Sequence, residues 1–554
     1  MQRTLVPGPV LRPGALRAYR ALAAGPGERH VIRDDLVVGS AAVTPGVPPR
    51  RRPLLAFAHA TDLQLADVQS PARFEFCNRD YDDPRFARIV PMHRPQEALA
   101  ARAVHAMVET LNAIAEAPVT GVPVELVVTT GDAVDNAQWN EMRMFLALFE
   151  GGTVRPGSGR PGYDGVQSLA WPDPAYWTPD GERASGPDWY RSRYGFPHLP
   201  GLLEQALAAF RSDGLRLPWL ACFGNHEVHA QGMAALTPAI RHAFVGASKA
   251  AGYPLDLDRD GLLERVVNSP EVLLGGPQQP VVADPERRAV SRAEFVEGHF
   301  GAASRPEGHG FSAANRQDGT AYYAHDIGPV RLICLDTTCR AGGSDGCLDD
   351  DQLHWLERQL QGAHSSYLAA DGTTVTTAES DRLVVVFSHH GIDTMTNRRG
   401  SHDGPDGVPL HGGPAVQELL HRFGNVVLWL NGHQHRNRVL ARVDPSGRTN
   451  GFWEVTSSSL MDWPSQARVI ELADNGDGTL SVLCTMVDHH GVVQPDPAAD
   501  RDGRWLAGMH RELAANEPYR GVGSGREGDV TDRNVDLRLT VPFGSQQLSQ
   551  DSSR

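Results

Sequence analysis

The sequence has no apolar run that approaches the roughly 20 residues needed to cross a bilayer as a helix. Pro and Arg interrupt every apolar stretch before residue 36, so a signal-peptide core is not expected. Positive charge is in short supply. Lys and Arg total 52 against 67 Asp and Glu, a formal net charge of −15. That balance argues against broad binding to nucleic acid or to anionic membranes, because both need a basic face. A phosphate-bearing ligand must then be held by local positive charge, and metal ions would supply it. Cysteine is sparse: Cys77, Cys222, Cys334, Cys339, Cys347 and Cys484. Cys222 and Cys334 fall inside apolar runs, as buried reduced thiols do. Cys339 and Cys347 flank a Gly-rich loop and could pair if oxidised, but two cysteines do not make a zinc site. The expectation is a cytoplasmic protein without a disulfide framework.

What is present is ordinary globular composition, 41% hydrophobic and 21% charged, over 554 residues. Length allows more than one domain. Composition divides the chain into an N-terminal extension (1–50), a catalytic region (51–490) and a C-terminal extension (491–554) whose final Ser/Gln/Asp run is expected to be disordered. Within the central region the pattern alternates strand and helix. Strands are expected at 54–60, 124–130, 217–223, 383–387 and 426–430, and helices at 95–116, 136–149, 348–360 and 414–422. A hairpin is expected over 320–336, and 436–488 reads mostly as strand. Two insertions interrupt the alternation. Residues 151–198, rich in Gly, Pro, Trp and Tyr, read either as a surface segment with its own aromatic cluster or as a lid. Residues 228–319 include an Asp-rich turn at 256–261. It opens like a calcium loop, but Val267 stands where the bidentate Glu should be, so an ordinary turn is expected.

Five apolar runs end in polar residues with metal-ligating chemistry. They end at Asp62-Leu63-Gln64, Gly131-Asp132, Gly224-Asn225-His226-Glu227, Ser388-His389-His390 and Gly432-His433-Gln434-His435. In open α/β sheets the carboxyl ends of the strands are where ligands sit. These groups read as converging on a pair of metal ions. Asp132, directly after a strand and a glycine, is well placed to bridge. Asn225 offers an amide oxygen and His389 an imidazole. His433 and His435, two apart in an extended turn, could each reach a different ion.

In order and placement these blocks resemble those of the calcineurin-like metallophosphoesterase superfamily, over roughly residues 54–485. The likeness is nearest to actinobacterial members related to purple acid phosphatases and cyclic-nucleotide phosphodiesterases. The resemblance implies a four-layer α/β/β/α sandwich with large loop insertions. It implies that Asp62, Gln64, Asp132 and His435 hold one divalent ion, and that Asp132, Asn225, His389 and His433 hold the other. His390 is the alternative to His389. His226 would be catalytic, contacting the phosphoryl oxygens or protonating the leaving group, with Asn136 and Glu227 in support.

The implied reaction is hydrolysis of a small phosphodiester or phosphomonoester by a hydroxide held at the binuclear centre. The first block departs from the family, which has Asp-x-His where this chain has Asp62-x-Gln64. Gln64 ligates through its amide oxygen, or a water replaces it, or His93 or His59 substitutes. A first ion bound less tightly than the second is expected. Mn²⁺ is favoured over Zn²⁺ or Fe. The alternative reading is a catalytically weak or inactive scaffold of the same fold that binds a partner.

Overall fold

The computed structural model describes residues 5–38, 51–86, 89–339, 341–398 and 410–542. Two sheets carry the architecture. The larger is built from β1 (Val31–Leu36), β2 (Arg52–Ala60), β3 (Leu126–Thr129), β4 (Trp219–Leu220), β11 (Gln466–Asp474), β12 (Thr479–Asp488) and β13 (Val535–Thr540), in the order β1-β13-β12-β11-β2-β3-β4. The smaller is built from β5 (Tyr323–Ile327), β6 (Val330–Leu335), β7 (Leu383–Ser388), β8 (Val426–Asn431), β9 (Arg438–Arg442) and β10 (Phe452–Thr456), in the order β5-β6-β7-β8-β10-β9. The neighbours β2-β3-β4 and β6-β7-β8-β10 run parallel. Parallel neighbours deliver their carboxyl ends to one edge.

Every residue of β3, β7 and β8 is buried, as expected of strands covered on both faces. The period of two divides the smaller sheet cleanly. Ile333, Leu335, Val384, Val386 and Trp429 face outward onto α3 (Asp350–Gln361) and α4 (Gly413–His421), where Leu356, Leu360 and Val416 meet them. Leu332, Cys334, Val385, Phe387, Leu428 and Leu430 face the larger sheet and join the main core. The sheets touch directly where the Tyr323 hydroxyl donates to the Ala221 carbonyl (2.7 Å) and the Trp453 indole to the Arg538 carbonyl (3.2 Å). α1 (Ala100–Ala113) and α2 (Trp139–Phe149) contribute Val104, Met107, Phe145 and Leu148 to the main core. The molecule is thus the four-layer α/β/β/α sandwich that the resemblance implied.

Both compositional boundaries are crossed by this fold. Strand β1, from the segment expected as an N-terminal extension, pairs in parallel with β13 from the C-terminal one. An antiparallel hairpin, Leu5–Arg12 with Tyr19–Ala24, packs near α5 (Gly503–Asn516), a helix that composition hid because Arg511, Glu512 and His510 are buried with its apolar face. The expected disordered run at 543–554 lies outside the described residues. So does 39–50 of the N-terminal stretch.

The run 217–223 forms only a two-residue strand. Its backbone groups bond elsewhere: Trp219 N–H to the Arg305 carbonyl (2.9 Å) and Ala221 N–H to that of His309 (2.8 Å). Residues 151–198 form an aromatic cluster in which Trp177, Tyr190 and Phe196 pack with Tyr19 and Trp505. The turn at 256–261 ends in Gly261 with φ +72°, opening the short helix Leu262–Asn268. All six cysteines are buried, and among the described residues no disulfide joins them. Among the described residues no helix is long and apolar enough to cross a membrane.

Candidate metal centre

The five strand-end blocks meet at one rim, and their backbones are strained there. Asp62, Gln64, Asp132, His433 and His435 all have positive φ, between 41° and 64°. Non-glycine residues occupy that region at a cost of order 1–3 kcal/mol each, and such strain collects at functional sites. It is held by bonds between turns. Asp62 N–H donates to the Gly131 carbonyl (3.2 Å), Gln64 N–H to that of Asp132 (2.9 Å), and Gly432 N–H to that of His389 (3.1 Å). The glycines of the blocks are required by crowding. A Cβ on Gly432 would collide with Thr61 and Asp62, and one on Gly224 with Asp132. Glu227 clamps the rim from below, accepting from the backbone N–H groups of Gly224, Asp132, Ala133 and Val134. It is a structural residue, as is Asn136, whose amide ties Ala72 to Gln231.

Ligating atoms of Asp62, Asp132 and His389 lie within 4.8 Å of one another, and so do those of His389, His390 and His433. His389 Nδ1–H donates to the Thr130 carbonyl (2.7 Å), which points the Nε2 lone pair at Asp132 Oδ2, 3.0 Å away. His435 repeats the device. Its Nδ1–H donates to Asp462 (2.7 Å), and Nε2 faces Asp62 Oδ1 at 3.1 Å. Two lone-pair atoms at such distances need a proton or a cation between them. Burial lowers the pKa of His389, but the Asp132 carboxylate outweighs burial and lifts it to about 9. Burial works against the charge on Asp132 too, yet His389 and His226 hold it well below the usual carboxylate range.

The remaining expected ligands show what the rim lacks. Gln64 Oε1 and Asn225 Oδ1 are buried and have no hydrogen-bond partner, and His389 Nε2 meets the Asp132 carboxylate. An unsatisfied buried polar atom costs about 1–3 kcal/mol. Two at one rim, beside two carboxylates and the His389 imidazole, fit a site built for cations. Asn225 is fixed with its amide nitrogen donating to the Gly232 carbonyl (2.8 Å), which leaves the oxygen for a ligand. The Gln64 amide nitrogen contacts His226 Nε2 at 3.0 Å, which likewise leaves its oxygen free. His226 Nδ1–H donates to the Asp135 carbonyl (2.6 Å), so Nε2 points into the cavity as an acceptor.

The substitutes considered for Gln64 are occupied elsewhere. His59 is held at both nitrogens by Thr130 and Ser457, each at 2.9 Å. His93 is tied to Glu97 (2.7 Å) and does not line the cavity. His390 is similarly held, by Thr337 and the Ser344 carbonyl at 2.8 Å each, so His389 is the freer ligand.

Sequence reasoning missed Asp462. It lies past β10, is buried, and receives Arg94 (2.8 Å) and Arg520 (3.1 Å) as well as His435. Both arginines hold its carboxyl well below the ordinary range against the effect of burial. No spacing rule marks an Asp in a turn 27 residues beyond its histidine. The cavity over the rim has a volume of about 410 Å³. Its walls come from 89–91, Arg94, 231–233 and 434–436 and from Arg520 and Arg526. No residue of 151–198 lines it, so the lid reading of that insertion is set aside in favour of the aromatic cluster.

No protein-family model matches the chain, and no curated protein matches it. Among solved structures it is similar to a dimetal phosphatase from Danio rerio, at 12% identity and a TM-score of 0.34, over 79% of this chain and 100% of that one. It is also similar to a purple acid phosphatase from yellow lupin (Lupinus luteus) seeds, at 11% identity and a TM-score of 0.29, over 86% of this chain and 55% of that one. Likenesses this distant carry no chemistry to the chain; the donor set and geometry of the rim define what it can bind.

Proposed function

We propose that the protein is a metal-dependent phosphoesterase that hydrolyses a small phosphate ester. The observation that carries this reading is the pair of buried acceptors without partners, Gln64 Oε1 and Asn225 Oδ1, gathered at one rim with Asp62, Asp132 and His389. Asp62, Gln64, Asp132 and His435 would hold one divalent ion; Asp132, Asn225, His389 and His433 would hold the other. Divalent ions in such a site supply Lewis acidity toward phosphoryl oxygens and a nucleophile at neutral pH. The four oxygen donors favour Mn²⁺. Buried thiols not joined in disulfides suit a reducing compartment, and on that ground we propose a cytoplasmic location.

The chain's own residues do the rest. Burial of the rim strengthens every charge interaction made with the substrate. The Asp135 carbonyl fixes the tautomer of His226, and His226 N–H on the backbone donates to Asp132 Oδ1 (2.9 Å), so the imidazole stays beside the bridging carboxylate. Nε2 of His226 is the atom positioned to meet a phosphoryl or leaving oxygen. Its contact with Gln64 must break before it can carry a proton to that oxygen.

The test is hydrolysis of bis-p-nitrophenyl phosphate and p-nitrophenyl phosphate with Mn²⁺, then with chelator. Activity should vanish on chelation and return with metal. His226→Ala should keep its metal content and lose about 10²–10⁴-fold in turnover. Undiminished turnover in that variant would remove His226 from the chemistry, and activity indifferent to chelator would end the metal reading.

A further inference from the structure

The cavity is charged in a way the metal centre does not require. Four guanidiniums, those of Arg94, Arg436, Arg520 and Arg526, line it on the side of His435. This occurs in a chain of net charge −15. Arg94 and Arg520 share one carboxylate, Asp462. Arg526 donates to the Gln434 and His435 carbonyls (2.9 and 3.0 Å), which are neutral acceptors. Arg436, the residue after His435, is exposed toward the cavity mouth. Asp462, Glu97 beside Arg94 and Glu517 beside Arg520 offset part of that charge, and the guanidiniums of Arg526 and of exposed Arg436 are left toward the cavity. Arginine is the residue suited to planar, paired contacts with phosphate oxygens.

Resting on the phosphoesterase reading above, we propose that the substrate carries a second phosphate group beside the scissile one, and that the wall of Arg436, Arg520 and Arg526 receives it. A single phosphoryl group at the rim would be neutralised by the metals and would leave this wall unused. A cationic wall with no ligand to meet is costly, because like charges repel across it. The substrate class is therefore a small bisphosphorylated molecule rather than a simple monoester. Arg520 and Arg526 come from the segment after α5, so the C-terminal region would set specificity for a site whose metal ligands all lie before residue 436.

The experiment uses the Mn²⁺-loaded full chain and non-hydrolysable probes, so that binding is read without turnover. Propylphosphonate is compared by calorimetry with α,ω-alkyl bisphosphonates of increasing length. At least one bisphosphonate should bind about tenfold tighter than propylphosphonate, the scale of one added charge-assisted contact. The advantage should shrink as salt rises. Arg436→Glu, at a position with an exposed side chain, should bring the ratio close to one.

Equal affinities across the series, or a ratio unmoved in Arg436→Glu, would overturn the proposal even if bis-p-nitrophenyl phosphate is still turned over. A preserved ratio with no hydrolysis of any ester would instead overturn the phosphoesterase reading and leave the anion site standing. If neither kind of phosphonate binds, both fall.

Discussion

On one side of Asp132, the imidazole of His435 is backed by a carboxylate, Asp462, at 2.7 Å. On the other, the imidazole of His389 is backed by a peptide carbonyl, that of Thr130, also at 2.7 Å. The difference matters because a carboxylate behind an imidazole raises its strength as a ligand more than a carbonyl does. The better-backed histidine sits on the half of the rim that has Gln64 where an imidazole is expected. The weak amide donor and the strengthened histidine are thus on the same side. Asp462 offsets part of what Gln64 lacks. Part of that gain is given back, since Arg94 and Arg520 draw charge from Asp462. The two proposed ion sites would differ in chemistry while sharing Asp132.

Asp132→Asn tests the shared element and should have the largest effect. Both halves lose their bridge, so metal content should fall toward zero and turnover by a factor of about 10³ or more. Elemental analysis after gel filtration would read it, and a variant that still holds two ions would break the bridge. Next, Asp462→Asn should act on one half alone. A lost carboxylate behind a ligating histidine costs about 10–100-fold in metal affinity. Titration should show one site weakened and the other unchanged; equal weakening of both would mean that Asp462 serves the fold rather than His435. Gln64→His should move the same half in the opposite direction, with the weaker site tightening about tenfold as an imidazole replaces an amide.

The last effect contrasts Asp462 with a buried carboxylate on which the nearby cation, Arg12, acts less than burial does. Burial lifts Glu512 to about 7, while Tyr19 beside it pulls the other way. A carboxyl with a folded pKa above its unfolded value of about 4.3 holds its proton more tightly when folded. Its contribution to stability is complete below about pH 4.3 and is lost as pH rises through about 7. Glu512→Gln removes that loss. Urea melts should show the variant more stable than the parent by up to about 3 kcal/mol at pH 8, and equal to it near pH 4. Parallel profiles would show that Glu512 ionises without cost where it stands.

Much of the fold was legible in the chain because the apolar runs that form β2, β3, β7 and β8 are short, continuous and bounded by turns. The strands found differ from those expected by a few residues at most, apart from the 217–223 run, where the backbone bonds to residues 305–309 instead of a ladder. The extensions were misread for a physical reason. A parallel strand such as β1 needs a partner about 500 residues away, and its own pattern, exposed at every second position, resembles a surface segment. Helix α5 hides in the same way, because its polar residues are buried by elements that composition cannot bring together.

The sequence by itself determined which groups stand at the strand ends. Each block is local: a buried run, then an Asp, Asn or His within a few residues, with a glycine directly before it in three of the five. Local sterics decide such conformations wherever the segment lies. Only the tertiary structure decided that Asp62 faces His435 across 373 positions of chain, that Asp462 backs one histidine and Thr130 the other, and that Arg520 and Arg526 return from the C-terminal segment to line the cavity. Contacts between distant segments are set by how two sheets pack and how loops close over them. No spacing within one stretch of sequence carries that information.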